Sequence, residues 1–211
     1  MGINISTNID PKLGLLFNQY ELEMRDFAIK NEVPIITDAG LKFLEDTIKK
    51  YNVKTLLEIG TAIGYSSERI SKANDTEVYT IERDLEMYKE AEKNISNLGL
   101  NDKVHIIFKD ALEAYDDVKN IEFDALFIDA AKGQYKHFFE LYEKNIKKGG
   151  IIICDNMDFH GFLAKDPSSM SRSLRGLVRK LKNFHEFLNT NPNYITKYFD
   201  IGDGMSISIK K

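Results

Sequence analysis

The sequence predicts an α/β domain on a seven-stranded, mostly parallel sheet with a C-terminal antiparallel hairpin, helices on both faces and an N-terminal helical extension. Three observations predict it. Short apolar runs alternate with amphipathic stretches from Val53 to Cys154. Those runs are apolar throughout, as strands covered on both faces must be. The last two runs lie so close together that they can pair only antiparallel through a tight turn. With 211 residues and no linker rich in Pro, Gly or Ser, 1–211 reads as a single domain and 1–50 as its helical extension.

Taken in order, residues 11–31 place Leu13, Leu16, Phe17, Tyr20, Met24 and Phe27 at three- and four-residue steps, the spacing of one helix face. After Val33-Pro34 a second helix runs from Thr37 to Lys50 on Leu41, Phe43, Leu44 and Ile48. Strands follow at 53–59, 77–82, 104–108, 123–128 and 151–154, with helical patterns at 64–73, 85–98, 111–117 and 134–146. Gly149-Gly150 is positioned to close the last of these helices. A long helix over 166–190 then precedes the hairpin strands 194–199 and 205–209, joined by Ile201-Gly202-Asp203-Gly204.

Composition narrows the classes. Thirteen Phe and ten Tyr are too many aromatics for a disordered chain, and no run reaches the ~18 apolar residues of a membrane span. Cys154 is the only cysteine, which excludes a disulfide scaffold, and with no signal peptide the expected address is cytoplasmic. The net charge of −4 gives no overall nucleic-acid signature, so any such contact must be local.

The segment Glu58-Ile59-Gly60-Thr61-Ala62-Ile63-Gly64-Tyr65-Ser66 stands where the first strand ends and a helix begins. Ligands of open α/β sheets bind at such strand ends, against helix N-termini. Gly60 lets the chain turn sharply and a ligand approach closely. The dinucleotide fingerprint G-x-G-x-x-G fits in no frame, which argues against a nicotinamide enzyme. A carboxylate at Glu58 would repel a pyrophosphate but attract an ammonium or sulfonium. Glu82 ends the second strand 22 residues after Gly60, where a carboxylate can accept ribose hydroxyls, and Asp110-Ala111 ends the third at the depth of an adenine edge. Singly, Glu82 could be a solvated charge and Asp110 a helix cap. On three successive strand ends they point to an adenosine ligand whose other end is a cationic amino acid.

Asp129 closes the fourth strand and Asp155-Asn156 the fifth. Adjacent strands run about 4.8 Å apart, so two carboxylates and an amide oxygen converge there. Such hard donors suit Mg²⁺ or Ca²⁺ over zinc, for which the four histidines have no ligand spacing. A cap at Asp129 and a turn at Asp155-Asn156 are the structural alternatives. Lys132, three residues past Asp129, is either an exposed loop lysine or a proton acceptor whose charged form nearby cations disfavour.

Between 165 and 182 the basic residues Lys165, Arg172, Arg175, Arg179, Lys180 and Lys182 face one acid, Asp166. At about 100° per residue, Arg172, Arg175, Arg179 and Lys182 fall within about 80° of arc, with Leu174, Leu177, Val178, Leu181, Phe184 and Leu188 nearly opposite. One face packs and the other is either a solvated stripe or a phosphate-binding one.

These segments resemble the S-adenosylmethionine-dependent, divalent-metal-dependent O-methyltransferases of the catechol and caffeoyl-CoA type. LLEIGTAIGYSS resembles their first motif, and FDALFIDAAKGQY and GGIIICDNM resemble the segments bearing the metal aspartates, the lysine and the asparagine. Within that family EVPII, DAAKGQY, the basic segment after DNM and the ending GDGMSIS are similar to the bacterial tRNA 5-hydroxyuridine methyltransferases. The resemblance implies a Rossmann-like class I fold. It implies S-adenosylmethionine contacts at Ile36, Ser66, Glu82, Ala111 and Asp129, joining Glu58, Gly60 and Asp110 as cofactor candidates. It implies Mg²⁺, or Mn²⁺ in its place, on Asp129, Asp155 and Asn156, with Asp129 and Lys132 in catalysis and Lys132 at the acceptor oxygen. It further implies tRNA against Arg172, Arg175 and Arg179, and a homodimer. A small catechol-like phenol is the alternative acceptor.

Overall fold

The computed structural model describes residues 11–158, 166 and 170–211. They gather into two compact units that divide between Ala111 and Leu112. The sheet has seven strands, as the sequence predicts. In the first unit β1 (Thr55–Ile59), β2 (Glu77–Glu82) and β3 (Val104–Phe108) lie parallel in the order β3-β2-β1. In the second, β4 (Phe123–Ile128), β5 (Ile146–Cys154), β6 (Tyr194–Phe199) and β7 (Met205–Lys210) lie in the order β4-β5-β7-β6, with β7 antiparallel to β5 and β6.

The first unit comprises α1 (Gln19–Lys30), α2 (Asp38–Lys50), β1 (Thr55–Ile59), α3 (Tyr65–Asn74), β2 (Glu77–Glu82), α4 (Leu85–Asn97) and β3 (Val104–Phe108). The first helix is shorter than its apolar spacing suggests. Pro11–Leu13 form only a 3-10 turn, Gly14 takes φ +64°, and α1 begins where Asn18 and Glu21 make a reciprocal capping box. β1 pairs parallel with β2, Ile59 opposite Ile81, and β2 with β3, Glu82 opposite Phe108. Leu56, Leu57, Ile59, Val78 and Ile81 are buried with Leu41, Leu44 and Ile48 of α2. Burying each such side chain stabilises by roughly 1.5–3 kcal/mol. Two buried arginines hold the entering chain. The Phe17 ring has the guanidiniums of Arg25 and Arg69 4.9 and 4.8 Å from its centroid. Arg25 donates to Asp38 Oδ1 (2.6 Å) and to the Tyr65 hydroxyl (2.8 Å), and Arg69 to Glu45 Oε1 (2.7 Å) and the Leu16 carbonyl (2.8 Å).

The second unit comprises α5 (Tyr115–Val118), β4 (Phe123–Ile128), α6 (Tyr135–Tyr142), β5 (Ile146–Cys154), α7 (Arg172–Thr190), β6 (Tyr194–Phe199) and β7 (Met205–Lys210). β4 and β5 are parallel, and the hairpin closes with Phe199 opposite Met205. Phe123, Phe127, Tyr135, Phe139 and Phe184 are buried, and Phe139 packs edge-on against Phe184, Phe187 and Tyr194. α7 buries Val178, Leu181, Phe184 and Leu188, the apolar face that its periodicity predicts.

Gly149-Gly150 does not end a helix. α6 stops at Tyr142, a 3-10 turn covers Glu143–Asn145, and both glycines lie inside β5, opposite a register shift at Phe123/Ala125. A β-carbon on Gly150 would stand 2.8 Å from the Asp124 carbonyl oxygen, so glycine is required by a bulge. The last long helix also starts later than its pattern suggests, at Arg172, where Ser171 caps the Leu174 N–H at 3.3 Å. Lys165 lies outside the described residues. Among the described residues no helix is long and apolar enough to cross a membrane.

Candidate functional site

In the first unit the turn between β1 and α3 takes its shape from three left-handed positions, Gly60 (φ +104°), Ala62 (φ +46°) and Gly64 (φ +80°). Glu82 holds it: its carboxylate accepts N–H bonds from Ala62 (2.8 Å), Arg83 (2.9 Å) and Asp84 (2.8 Å). The same half-exposed carboxylate stands at the tip of β2, the ribose position the sequence suggests.

Glu58 is a different matter. Its carboxylate is fully buried and accepts hydroxyl bonds from Ser66 (2.5 Å), Ser67 and Thr80 (2.8 Å). It acts as an internal tie that fastens the start of α3 to β2, in place of the open carboxylate that the sequence suggests. Ser66 turns its hydroxyl inward for the same reason. Gly64 brings no side chain to cap α3, so the first-turn amides are the groups this helix can offer an anionic ligand.

Asp110 pairs with Arg83 at 3.2 Å just past β3, and Ala111 is buried beside it in sequence. Ile36 is buried, its Cγ1 3.1 Å from where a β-carbon on Gly40 would sit, so the group it can present is its main chain.

In the second unit the register of β4 and β5 puts Ile128 opposite Cys154, and the Asp155 N–H donates to the Ile128 carbonyl at 3.2 Å. Asp129 and Asp155 therefore leave the sheet at one level. Asn156, in left-handed backbone (φ +58°), donates from Nδ2 to Asp129 Oδ1 at 3.1 Å and from its N–H to Asp155 Oδ1 at 2.7 Å. The three predicted donors are thus brought together. Among the described residues no three His, Cys, Asp or Glu side chains form a metal cluster; the candidate set is two carboxylates and an amide.

Burial pushes the Asp129 carboxyl up, against the pull of Lys132 and the Asn156 bond, while Asp203 pushes it further. Burial and then the charge of Asp129 push Asp155 up. Two carboxylates that burial and mutual repulsion make reluctant to ionise, joined by an amide oxygen, suit a small divalent cation. The residues present fit the metal that the sequence implies.

Lys132 opens the 3-10 turn Lys132–Gln134, and its charge acts on both carboxyl groups. α7 packs on that turn, with Lys180 Nζ and Leu177 Cδ1 3.5 and 3.6 Å from where a β-carbon on Gly133 would sit. Arg172, Arg175, Arg179 and Lys182 are exposed along α7. Two neighbours escaped sequence reasoning. The buried Tyr135 hydroxyl donates to the Asp155 carbonyl at 3.1 Å. Asp203 was legible only as part of a Gly-Asp-Gly turn, yet its charge reaches both aspartates.

Comparison with known proteins agrees with this chemistry. The family model for O-methyltransferases matches residues 18–211. A caffeoyl-CoA O-methyltransferase of Populus kitakamiensis is 31% identical over 194 residues, 89% of this chain and 82% of the relative. A Staphylococcus aureus protein provisionally named caffeoyl-CoA O-methyltransferase has a crystal structure that superposes with TM-score 0.87 at 40% identity, covering 92% of this chain and 93% of that one. The O-methyltransferase of Bacillus cereus, solved with SAH, shares the fold at TM-score 0.82 and 24% identity over 93% of each chain. The match across 18–211 and the identity to the poplar enzyme are together decisive: this chain belongs to the O-methyltransferase family, with relatives of the caffeoyl-CoA type.

Proposed function

We propose that this chain moves a methyl group from S-adenosylmethionine to one of two vicinal oxygens on a catechol-like phenolic acceptor. The observation that carries the proposal is the Asp129–Asp155–Asn156 cluster at two adjacent strand ends. The names of the caffeoyl-CoA relatives support a phenolic acceptor, and the SAH bound by the Bacillus cereus protein supports the cofactor.

S-adenosylmethionine supplies the activated methyl group, so the protein has to position the acceptor and remove its proton. In the first unit, Glu82 accepts ribose hydroxyls with the carboxylate capacity left beyond its three N–H bonds, and the α3 amides receive the cofactor's carboxylate. In the second unit, Asp129, Asp155 and Asn156 would hold Mg²⁺ or Mn²⁺, which supplies positive charge favouring the acceptor's ionised form. Lys132, three residues past Asp129, is the group assigned to receive the proton of the hydroxyl to be methylated.

A second reading rests on α7. Its exposed Arg172, Arg175 and Arg179 favour an acceptor with several phosphates, and 5-hydroxyuridine in tRNA offers a hydroxyl beside a carbonyl in the same vicinal arrangement. Both readings are tested by methyl transfer from labelled S-adenosylmethionine, with and without chelator, to caffeoyl-CoA, catechol and tRNA from cells lacking the gene. Chelator-sensitive methylation of a phenol is the expected result, and label found solely in tRNA would establish the second reading. Full activity after exhaustive chelation would overturn the metal assignment.

A further inference from the structure

We infer that His185 is a positioning residue that holds the Asp155–Asn156 loop in its ligating shape, an inference resting on the metal assignment above. Asn156 sits in the left-handed region, which asparagine shares with ordinary backbone at little difference in energy, so the bonds of its neighbours decide which of the two the loop adopts. They converge on Met157, the next residue. Its N–H donates to the Gly204 carbonyl at 2.8 Å, and its own carbonyl accepts from His185 Nε2 at 2.9 Å. Both backbone groups of Met157 are therefore bonded, one to the β6–β7 turn and one to α7.

The turn's side of this clasp continues one residue further, where the Asp158 N–H donates to the Asp203 carbonyl at 2.8 Å. A β-carbon on Gly204 would come within 2.6 Å of the Asp158 nitrogen, so the clasp closes only because that residue is glycine. On the helix side, His185 is itself held. Its ring stacks on Tyr198 with centroids 4.8 Å apart and planes 5° from parallel, and the Tyr198 hydroxyl donates to the His185 carbonyl at 3.3 Å. Because the partner on Met157 is a carbonyl, Nε2 must carry the proton. The imidazole acts as a rigid donor whose position is set by stacking, and it acts on the ligand set through the loop without touching it.

Partners of this kind typically change metal affinity 10- to 100-fold. The test is a Mn²⁺ titration of the chelator-treated protein by calorimetry, with S-adenosylmethionine affinity and thermal midpoint measured on every variant. His185→Phe keeps the stack and removes the donor. It should weaken Mn²⁺ binding about 10-fold or more and leave S-adenosylmethionine affinity unchanged. His185→Gln places an amide N–H at the Nε2 position and should restore most of the loss. Wild-type affinity in His185→Phe would overturn the positioning role alone. Equal weakening in both variants would mean that returning an N–H donor does not restore affinity, and would overturn the hydrogen-bond argument. A wild-type protein that takes up no Mn²⁺ would overturn the metal assignment itself. His185→Leu, which also lacks the donor, replaces the Phe variant if that one does not fold.

Discussion

Glu68 offers a stability test that can be worked from the structure. It lies on α3, the helix that carries Ser66 and Ser67, and its side chain is wholly buried. Lys72 Nζ is 2.9 Å away and is shared with Glu21 at 2.6 Å, yet neither Glu68 oxygen meets a donor in hydrogen-bonding geometry. Burial, countered in part by Lys72 and reinforced by the charge of Glu21, pushes its carboxyl from 4.5 up to about 7. Between those values the folded protein keeps a proton that the unfolded chain has released. Stability therefore falls as pH rises from about 4.5 and levels off above about 7. At about 1.4 kcal/mol per pH unit, the loss accumulates to roughly 3 kcal/mol.

Glu68→Gln removes that penalty at every pH and gives up one partly exposed ion pair worth about 0–1 kcal/mol. Urea denaturation at pH 5 and pH 8 should show the variant gaining on wild type by about 2 kcal/mol between the two, and exceeding it at pH 8. A gap that stays constant with pH, or a variant less stable at pH 8, would refute the idea that an unsolvated charge is stored there.

Asp155→Ala should abolish turnover while leaving S-adenosylmethionine affinity within a few-fold, read by calorimetry. In chelator it should also be more stable than wild type near pH 8, because Asp129 loses a like-charged neighbour. The wild type itself should lose stability as rising pH strips the protons that burial holds on these carboxyls. Glu58→Ala strands the hydroxyls of Ser66 and Ser67 without their acceptor, at about 1–3 kcal/mol each before relaxation, while Thr80 keeps its bond to the Thr61 hydroxyl at 2.6 Å. It should lower the urea midpoint and weaken S-adenosylmethionine binding together, and an unchanged midpoint would contradict the internal-tie role. Replacing Arg172, Arg175 and Arg179 by alanine should leave turnover of a free phenol intact. If tRNA is the acceptor, it should flatten the salt dependence of tRNA binding by a slope of about 2–3, and an unaltered slope would remove α7 from the RNA reading.

The strands, their direction and the convergence of Asp129, Asp155 and Asn156 were legible in the sequence because each follows from local chemistry. Apolar runs with no alternation mean two covered faces, and oxygen donors at the ends of adjacent strands meet without any need to know the loops. The misread elements share one cause: a local signal that a distant residue overrules. Gly149-Gly150 reads as a helix stop until the Asp124 carbonyl leaves no room for a β-carbon. The spacing from Leu13 to Phe27 reads as a single helix, yet Gly14 and the Asn18 cap break it.

By itself, the sequence determined the α/β class, the hairpin, the turn after β1, and which carboxylates and amide could hold a cation. Tertiary structure alone decided the direction in which side chains act. Glu58 faces three hydroxyls inside the protein, whereas Glu82, equally acidic and also at a strand end, remains half exposed. His185 reaches Met157 across 28 residues of chain. Periodicity fixes the face on which a residue lies, because helix and strand repeats are local. It leaves open which group across the core that face meets, since that depends on register and packing between elements far apart in the chain.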